Sequence, residues 1–315
     1  MILVTGGLGY IGSHIVIMIP YPVLILDNLS NSFLDRFYEL QKIKPDIELY
    51  QGDYTNICTL DYIFTNYDIT AVIHLAALKS VPESVREPEK YYIHNTLGTM
   101  TLLNAMKNFK LDNFIFSSSA CVYKSHPRAL KETDVLEPSN PYGKSKVDIE
   151  KYLQCIALNS ISLRYFNPIG GVFREEKANN VCPIIASCIK EERIFQIMGT
   201  DYPTKDGTAI RDYISVMDVA TGHIAALEML LNRNCHLHYQ KVYNLGVGEG
   251  TSVQQLVDCV NNLTGYKLQY ECTGRRPGDV SHLIANSDLI RTELNWKPRH
   301  TLVDCVQDII KIYAL

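Results

Sequence analysis

No stretch of the chain approaches the roughly 18 consecutive apolar residues that a membrane-spanning helix requires. The longest candidate, Ile15 to Leu26, is short and is interrupted by Pro20 and Pro22. The N-terminus lacks a basic segment followed by an apolar run and a cleavage site, so no secretory signal is expected and the cytoplasm is the expected compartment. Neither sign of charge dominates. Thirty Lys and Arg against 34 Asp and Glu leave a formal charge of −4, which gives no general attraction for nucleic acid or for an anionic membrane. Repeats and low-complexity linkers are missing. The nine cysteines (Cys58, Cys121, Cys155, Cys182, Cys188, Cys235, Cys259, Cys272, Cys305) contain no Cys-x-x-Cys pair, so they read as small buried residues of a reducing compartment. Cys235, His236 and His238 lie close together, but without a second ligand cluster nearby they read as a plain loop, and no metal is expected.

What the chain does have is length and apolar content. At 315 residues and 46% hydrophobic it can bury a large core, as one big domain or two lobes. Short apolar runs at 2–5, 23–27, 47–50, 71–74, 114–116 and 161–165 alternate with helical patterns such as 55–66, 89–109 and 141–158. That alternation predicts an α/β fold, a doubly wound parallel sheet with helices on both faces. From residue 168 the pattern loosens, with Pro183, Pro203 and the loop Asp201 to Gly207. The expected division is 1–167 for a cofactor-binding domain and 168–315 for a mainly substrate-binding lobe, with segments returning to the first.

Ligands of such sheets bind beyond the carboxyl ends of the strands, so the residues that follow each run carry the interest. After Ile2 to Thr5 come Gly6, Gly9 and Gly12, spaced Gly-x-x-Gly-x-x-Gly. Gly6 suits a tight turn, Gly9 a close backbone approach to a ligand, and Gly12 close helix–sheet packing. The first-turn N–H groups of the helix that follows suit a pyrophosphate. The second run ends in Asp27, 21 residues after Gly6, about where an acid binds the adenosine ribose. A carboxylate there repels a 2′-phosphate, which favours NAD over NADP. Asp53 could meet an adenine edge or only cap the next helix. Ala76 and Ala77 leave room for a cofactor backbone, or serve ordinary packing. Lys79 could meet a phosphate or a ribose, or stay a solvated surface lysine. Asn95, within a helical pattern, suggests a buried partner.

Pro141 opens a helix with Ser139 or Asn140 as cap, and Tyr142 and Lys146 then share one face. A phenol, with an ordinary pKa of about 10, is a poor base at neutral pH. A nearby ammonium and an oxidised nicotinamide both favour the phenolate. Ser119, 23 residues before Tyr142, ends a strand and can offer its hydroxyl to the same reacting oxygen. Tyr-x-x-x-Lys alone carries no weight, since Tyr38 and Lys42 repeat the spacing. Combined with the glycine turn, Asp27 and the serine run, it describes a hydride-transfer site with Tyr142 as acid/base, Lys146 as electrostatic modulator and Ser119 as hydrogen-bond partner. Arg211 and Arg276 could converge on a diphosphate or form surface ion pairs.

These motifs resemble the extended short-chain dehydrogenase/reductase family. The resemblance is carried by Val4 to His14, Leu26 to Ser32, Phe114 to Ala120, Pro141 to Lys146, Leu163 to Pro168, Asp201 to Gly207, Arg211 to Ile214 and Leu294 to Trp296. The Ser-Ser-Ser-Ala, Arg-Tyr-Phe-Asn-Pro and Asp-Tyr-Pro-Thr segments are most similar to its nucleotide-sugar epimerases. The resemblance implies a Rossmann-like fold, tightly held NAD, a UDP-hexose substrate epimerised at C4 and a homodimer built through the helix that bears Tyr142. It places Gly6, Gly9, Tyr10, Ile11, Gly12, Asp27, Asn28, Leu29, Ser30, Asn31, Ser32, Asp53, Tyr54, Leu75, Ala76, Ala77, Leu78, Lys79, Tyr142, Lys146 and Phe166 around NAD. Ser119, Asn167, Asn180, Gln196, Ile197, Met198, Arg211, Arg276, Asp279 and Leu283 fall to the substrate. The pattern departs at a short first crossover with Pro20 and Pro22, at a shortened loop between Pro168 and Asn179, and at Lys124 and Pro82. Leu283 stands where glucose-restricted members carry tyrosine, so N-acetylated sugars are expected to enter. A nucleotide-sugar 4,6-dehydratase or decarboxylase is the alternative within enzymes, although Ala120 and Cys121 supply neither the acid nor the base that a dehydratase needs. A sensor that binds NAD and nucleotide sugar without turnover is the alternative outside them.

Overall fold

The computed structural model describes residues 1–175, 180–233 and 238–315. Its main sheet is built from β1 (Ile2–Thr5), β2 (Val23–Asp27), β3 (Ile47–Gln51), β4 (Ala71–His74), β5 (Asn113–Ser119), β6 (Asn159–Tyr165) and β11 (Gln240–Leu245). All seven pair in parallel in the order β11-β6-β5-β4-β1-β2-β3. The six apolar runs read from the sequence are six of these strands. The seventh, β11, comes from the part of the chain where the pattern loosens.

Strand alternation sends Ile2, Val4 and Ile25 into one core and Leu3, Leu24 and Leu26 into the other. The first core is shared with α1 (Tyr10–Val16) and α9 (Val216–Leu231), and Trp296 closes it. The second is shared with α3 (Ile57–Asn66), α6 (Thr99–Asn108) and α7 (Pro141–Gln154). Three further helices, α2 (Leu34–Ile43), α4 (Val81–Arg86) and α5 (Pro88–Tyr91), connect the strands. The short first crossover is accommodated by ending α1 at Val16 and burying Ile19 in the core.

One expected helix is not uniform. Instead of a single α-helix over 89–109, α5 passes into a π-helical stretch, Tyr92–Gly98, before α6 begins. This wider turn lets Asn95 face the loop after β4, where it accepts from the Leu78 N–H at 2.9 Å and donates to the Leu78 carbonyl at 2.9 Å. The buried partner expected for Asn95 is therefore backbone, joined by the Ser145 hydroxyl of α7 at 3.2 Å. Short π segments of this kind are frequent at functional sites.

Beyond β6 the strands are short. β7 (Asn167–Ile169) pairs with β10 (Tyr213–Ser215), and β8 (Phe195–Met198) pairs with β13 (Tyr270–Thr273). β9 (Ile210–Arg211) lies between β12 (Thr251–Ser252) and β14 (His282–Leu283). With α8 (Val181–Lys190), α10 (Val253–Thr264) and α12 (Leu302–Tyr313) they enclose a separate core that includes Ile185, Phe195, Ile197, Leu256 and Ile309. α11 (Asp288–Leu294) packs back against β11. A small cluster joins the two parts, with Ala120, Val147 and Phe166 from the main sheet's side meeting Leu283 and Ala285. It lies at the carboxyl ends of β5 and β6. No helix among the described residues is long and apolar enough to cross a membrane.

Candidate active site

The strand order reverses between β1 and β4, so the carboxyl ends of those two strands flank the crevice where ligands of open α/β sheets bind. The glycine turn fills that crevice. Gly6 has φ +69°, and a Cβ there would lie 2.8 Å from the Ala76 nitrogen. A Cβ on Gly12 would lie 2.3 Å from the Gly6 carbonyl oxygen. Both positions are therefore closed to any larger side chain. Gly9 precedes α1 without a side-chain cap. Tyr10 reaches the other part of the molecule, donating to the Gly170 carbonyl at 2.7 Å, and Ile11 is half-buried.

Asp27 is the hub of the next strand end. Its carboxylate accepts from the Leu8 N–H at 3.1 Å, the Leu29 N–H at 3.0 Å and the Ser32 hydroxyl at 2.8 Å. Leu29 takes the left-handed conformation to make this turn, with φ +58°. Asn28 accepts from the Ser30 N–H and donates to Asp53 at 2.9 Å, while Asn31 is exposed. Asp53 does not cap α3, a role taken by Asn56. It binds the N–H and hydroxyl of Thr55, each at 2.8 Å, and faces Asn28. Tyr54 is buried and donates to the His94 carbonyl. Leu75 and Ala76 donate their N–H groups to the Thr5 carbonyl, so the loop through Ala77 and Leu78 lies directly beside the glycine turn. Lys79 is not a free surface lysine. It pairs with the buried Glu175, which also accepts from Asn180 at 3.0 and 2.8 Å.

The residues expected to react come from β5 and α7. Asn140 caps α7, accepting from the Gly143 N–H at 2.9 Å, and Ser139 instead donates to the Gly278 carbonyl. Ser119 ends β5 and accepts from the Cys121 N–H at 3.2 Å. The Lys146 Nζ lies 5.8 Å from the centre of the Tyr142 ring and 4.9 Å from that of Phe116. The sequence led us to expect the phenol to be shifted toward phenolate. The protein's own groups act the other way: burial raises Tyr142 well above the ordinary phenol value, and its hydrogen bond with Ser119 only partly opposes this. Burial also lowers Lys146 to about 7, against the pull of Glu150. Both shifts follow from taking a charge out of water.

Across the cleft, Arg211 and Arg276 both approach the Asp279 carboxylate. Arg276 grips Asp279 at 3.0 and 3.1 Å, and Arg211 lies 4.0 Å from the same carboxylate. Leu283 pairs with Arg211 in the β9–β14 register and is buried beside Phe166. Asn167 donates its N–H to the Asp212 carbonyl. The three candidate residues on β8 point different ways. Gln196 donates to Glu271, the Ile197 side chain is in the core, and Met198 is exposed. Of these three, Ile197 can offer a ligand only its backbone.

Sequence reasoning did not single out Tyr202, whose buried hydroxyl has no hydrogen-bond partner among the described residues and whose ring lies 4.3 Å from the Arg275 guanidinium. It also missed the strap His14 forms. His14 Nε2 accepts from the Val172 and Phe173 N–H groups, tying α1 to the segment after β7. Cys235 and His236 lie outside the described residues, and among the described residues no three His, Cys, Asp or Glu are grouped to hold a metal.

Residues 3–309 match the family model described as GDP-mannose 4,6 dehydratase. The chain is 40% identical over 336 residues to the UDP-glucose 4-epimerase of Dictyostelium discoideum, covering 100% of this chain and 96% of that protein. It is 39% identical over 330 residues to the bifunctional protein GAL10 of Pachysolen tannophilus, covering 98% of this chain and 48% of that protein. The chain thus spans about half the length of this second relative. The UDP-glucose 4-epimerase of Stenotrophomonas maltophila, solved with bound NAD and formylated UDP-arabinopyranose, has a TM-score of 0.92 at 35% identity, covering 99% of this chain and 97% of that one.

Proposed function

The chain belongs to the extended short-chain dehydrogenase/reductase family, among its UDP-glucose 4-epimerases, and on that premise we propose that it inverts C4 of a UDP-hexose, interconverting UDP-galactose and UDP-glucose with NAD held as a resident group. The observation that carries this reading is the meeting of Ser119, Tyr142 and Lys146 at the sheet edge next to the glycine turn, with no acid or base at Ala120 or Cys121. The same oxidation step without elimination suits an epimerase and not a dehydratase.

The cradle fits NAD. The space beside Gly6 and Gly12 admits backbone only. The Asp27 carboxylate retains acceptor capacity on Oδ2 for a ribose hydroxyl and would repel a 2′-phosphate. When bound, NAD supplies the acceptor that takes the C4 hydrogen with its electron pair and gives it back. Tyr142 takes the proton of the 4′-hydroxyl and later returns it, while Ser119 holds the same oxygen. Because burial raises the phenol, ionisation of Tyr142 depends on positive charge nearby, from Lys146 and the oxidised nicotinamide. Arg211 and Arg276 hold the diphosphate, with Asp279 setting the Arg276 fork, and Asn180 and the β8 backbone face the uridine. Leu283, smaller than tyrosine, leaves room for an N-acetyl group. Comparable rates on UDP-N-acetylglucosamine and UDP-glucose are expected, and absence of turnover of the former would refute that extension.

The homodimer reading is supported by Tyr92, Ile93 and Leu97, exposed apolar residues of the π-helical stretch next to α7. The division at residue 167 remains part of this proposal, with β11 as the segment that returns to the main sheet. Incubating purified protein with UDP-galactose and no added cofactor tests the whole reading. UDP-glucose is the expected product. A 4-keto-6-deoxy sugar would mean a dehydratase, and tight binding without change would mean a sensor.

A further inference from the structure

Beneath the reactive helix lies a buried polar chain that the proposed chemistry does not use. Glu150, one turn beyond Lys146 on α7, pairs with Arg164 of β6 at 2.6 Å, and both side chains are 3% exposed or less. Glu150 Oε1 accepts from Arg164 Nε at 3.0 Å and from the Ser118 hydroxyl at 2.5 Å. Arg164 also donates to the Tyr123 hydroxyl at 2.6 Å and to the Glu132 carbonyl at 3.0 Å. Tyr123 in turn donates to Asn244 at 2.6 Å. A buried ion pair is weak evidence of stabilisation, because apolar replacements are often neutral or better. Its position suggests another use.

Ser118 immediately precedes Ser119 and is in register with Arg164 across β5 and β6. Glu150 follows Lys146 at the spacing that brings helical side chains together. One carboxylate therefore ties the strand end bearing Ser119 to the helix bearing Tyr142 and Lys146. Its oxygens are committed to Arg164 and Ser118, so it acts on Lys146 through space. The other groups facing this pocket are the Phe116 ring from β5, His74 from β4, Tyr165 from β6, and Tyr91, whose ring lies 6.5 Å from that of Tyr142. His74 is held neutral by burial and by Lys146. Cys121 also faces Tyr142, and among these described groups Glu150 is the one carboxyl.

Resting on the epimerase reading, we propose that Glu150 is a positioning residue: clamped by Arg164 and Ser118, it keeps the Lys146 ammonium charged beside Tyr142 and fixes α7 against the Ser119 end of β5. Burial already draws Lys146 down to about 7 and Glu150 opposes it, so removal of the carboxylate charge lets Lys146 lose its proton at lower pH.

The test compares Glu150→Gln, Glu150→Asp and the double variant Glu150→Gln/Arg164→Gln, which leaves no unpaired buried charge if the single one does not fold. Two readouts are taken: the pH profile of kcat, and the Lys146 side-chain titration followed by NMR on isotopically labelled lysine. Glu150→Gln is expected to move the high-pH limb and the Lys146 titration down by about one pH unit, and the double variant, which also removes the positive charge of Arg164, to move both down by less. Glu150→Asp is expected to leave both near their native place. Loss of activity with limb and titration unmoved would overturn the proposal, leaving Glu150 a packing residue. The NMR titration does not require turnover, so it tests Glu150 even if the native protein fails to convert UDP-galactose, an outcome that would count against the epimerase reading alone.

Discussion

Tyr142 sits in surroundings that oppose its own ionisation, and this makes it the residue whose removal says most. Burial raises its phenol, Ser119 partly offsets this, and Lys146 faces the ring. Tyr142→Phe keeps the ring and removes the hydroxyl that the proposed reaction uses to take the 4′-hydroxyl proton. General acid–base groups typically contribute about 100- to 10,000-fold, so a loss of that order in kcat is expected, with bound NAD retained. Near-native turnover by the variant would refute the acid/base role. Much of this residue's setting is legible in the sequence because it is local: four residues separate Tyr142 from Lys146 on one helix face, and Asn140 caps the turn before them. Glu150 and Arg164 are not legible in that way. They come from a helix and a strand, and no spacing marks them as partners until the sheet places Arg164 beside Ser118.

The segment after β7 shows how a single element is anchored to the cofactor cradle. Its Val172 and Phe173 N–H groups donate to His14 Nε2, at 2.9 and 3.2 Å, and His14 Nδ1 lies 2.7 Å from the Tyr10 carbonyl. The acceptor role requires a neutral ring, and burial holds His14 down to about 4 from its ordinary 6.5. The sign follows from linkage. Above about 6.5 the ring is neutral whether the chain is folded or unfolded. Below that the unfolded chain binds the proton first, so the stability His14 contributes is lost as pH falls toward about 4. His14→Gln is therefore expected to flatten the fall of Tm between those pH values. The slope will not vanish, because His74 and His223 are buried in the same way. An unchanged slope would argue against this account of the strap. The elements themselves divide by the physics of their sequences. Strands β1, β2, β4, β5 and β6 are legible because both faces are buried, and the edge strand β3 because Ile47 and Leu49 alternate with Glu48. β11 begins with Gln240 and Lys241, which hides it, and the π-helical stretch cannot be told from α-helix by apolar spacing.

Among the described residues, an exposed apolar face lies beside α7. Val85, Tyr92, Ile93 and Leu97 are each at least two-fifths exposed, close to α7. Under the dimer reading, Ile93→Glu/Leu97→Glu places charge in that contact and is expected to yield a monomer in sedimentation equilibrium, where the native protein sediments as a dimer. A native monomer, or a dimer unaffected by both changes, would sink the assignment of that face. Cross-molecule pairs are also where sequence reading stops. Lys79 with Glu175, and Arg211 with Asp279, join residues far apart in the chain, and the fold alone shows that they pair with each other.

In the proposed reaction one hydrogen leaves C4 and returns to the opposite face of the same carbon without exchanging with water. UDP-galactose carrying deuterium at C4, incubated with the purified protein and no added cofactor, tests this directly. The expected product is UDP-glucose with deuterium retained at C4. Product with ordinary hydrogen at that position, or recovery of unchanged UDP-galactose, would contradict the account.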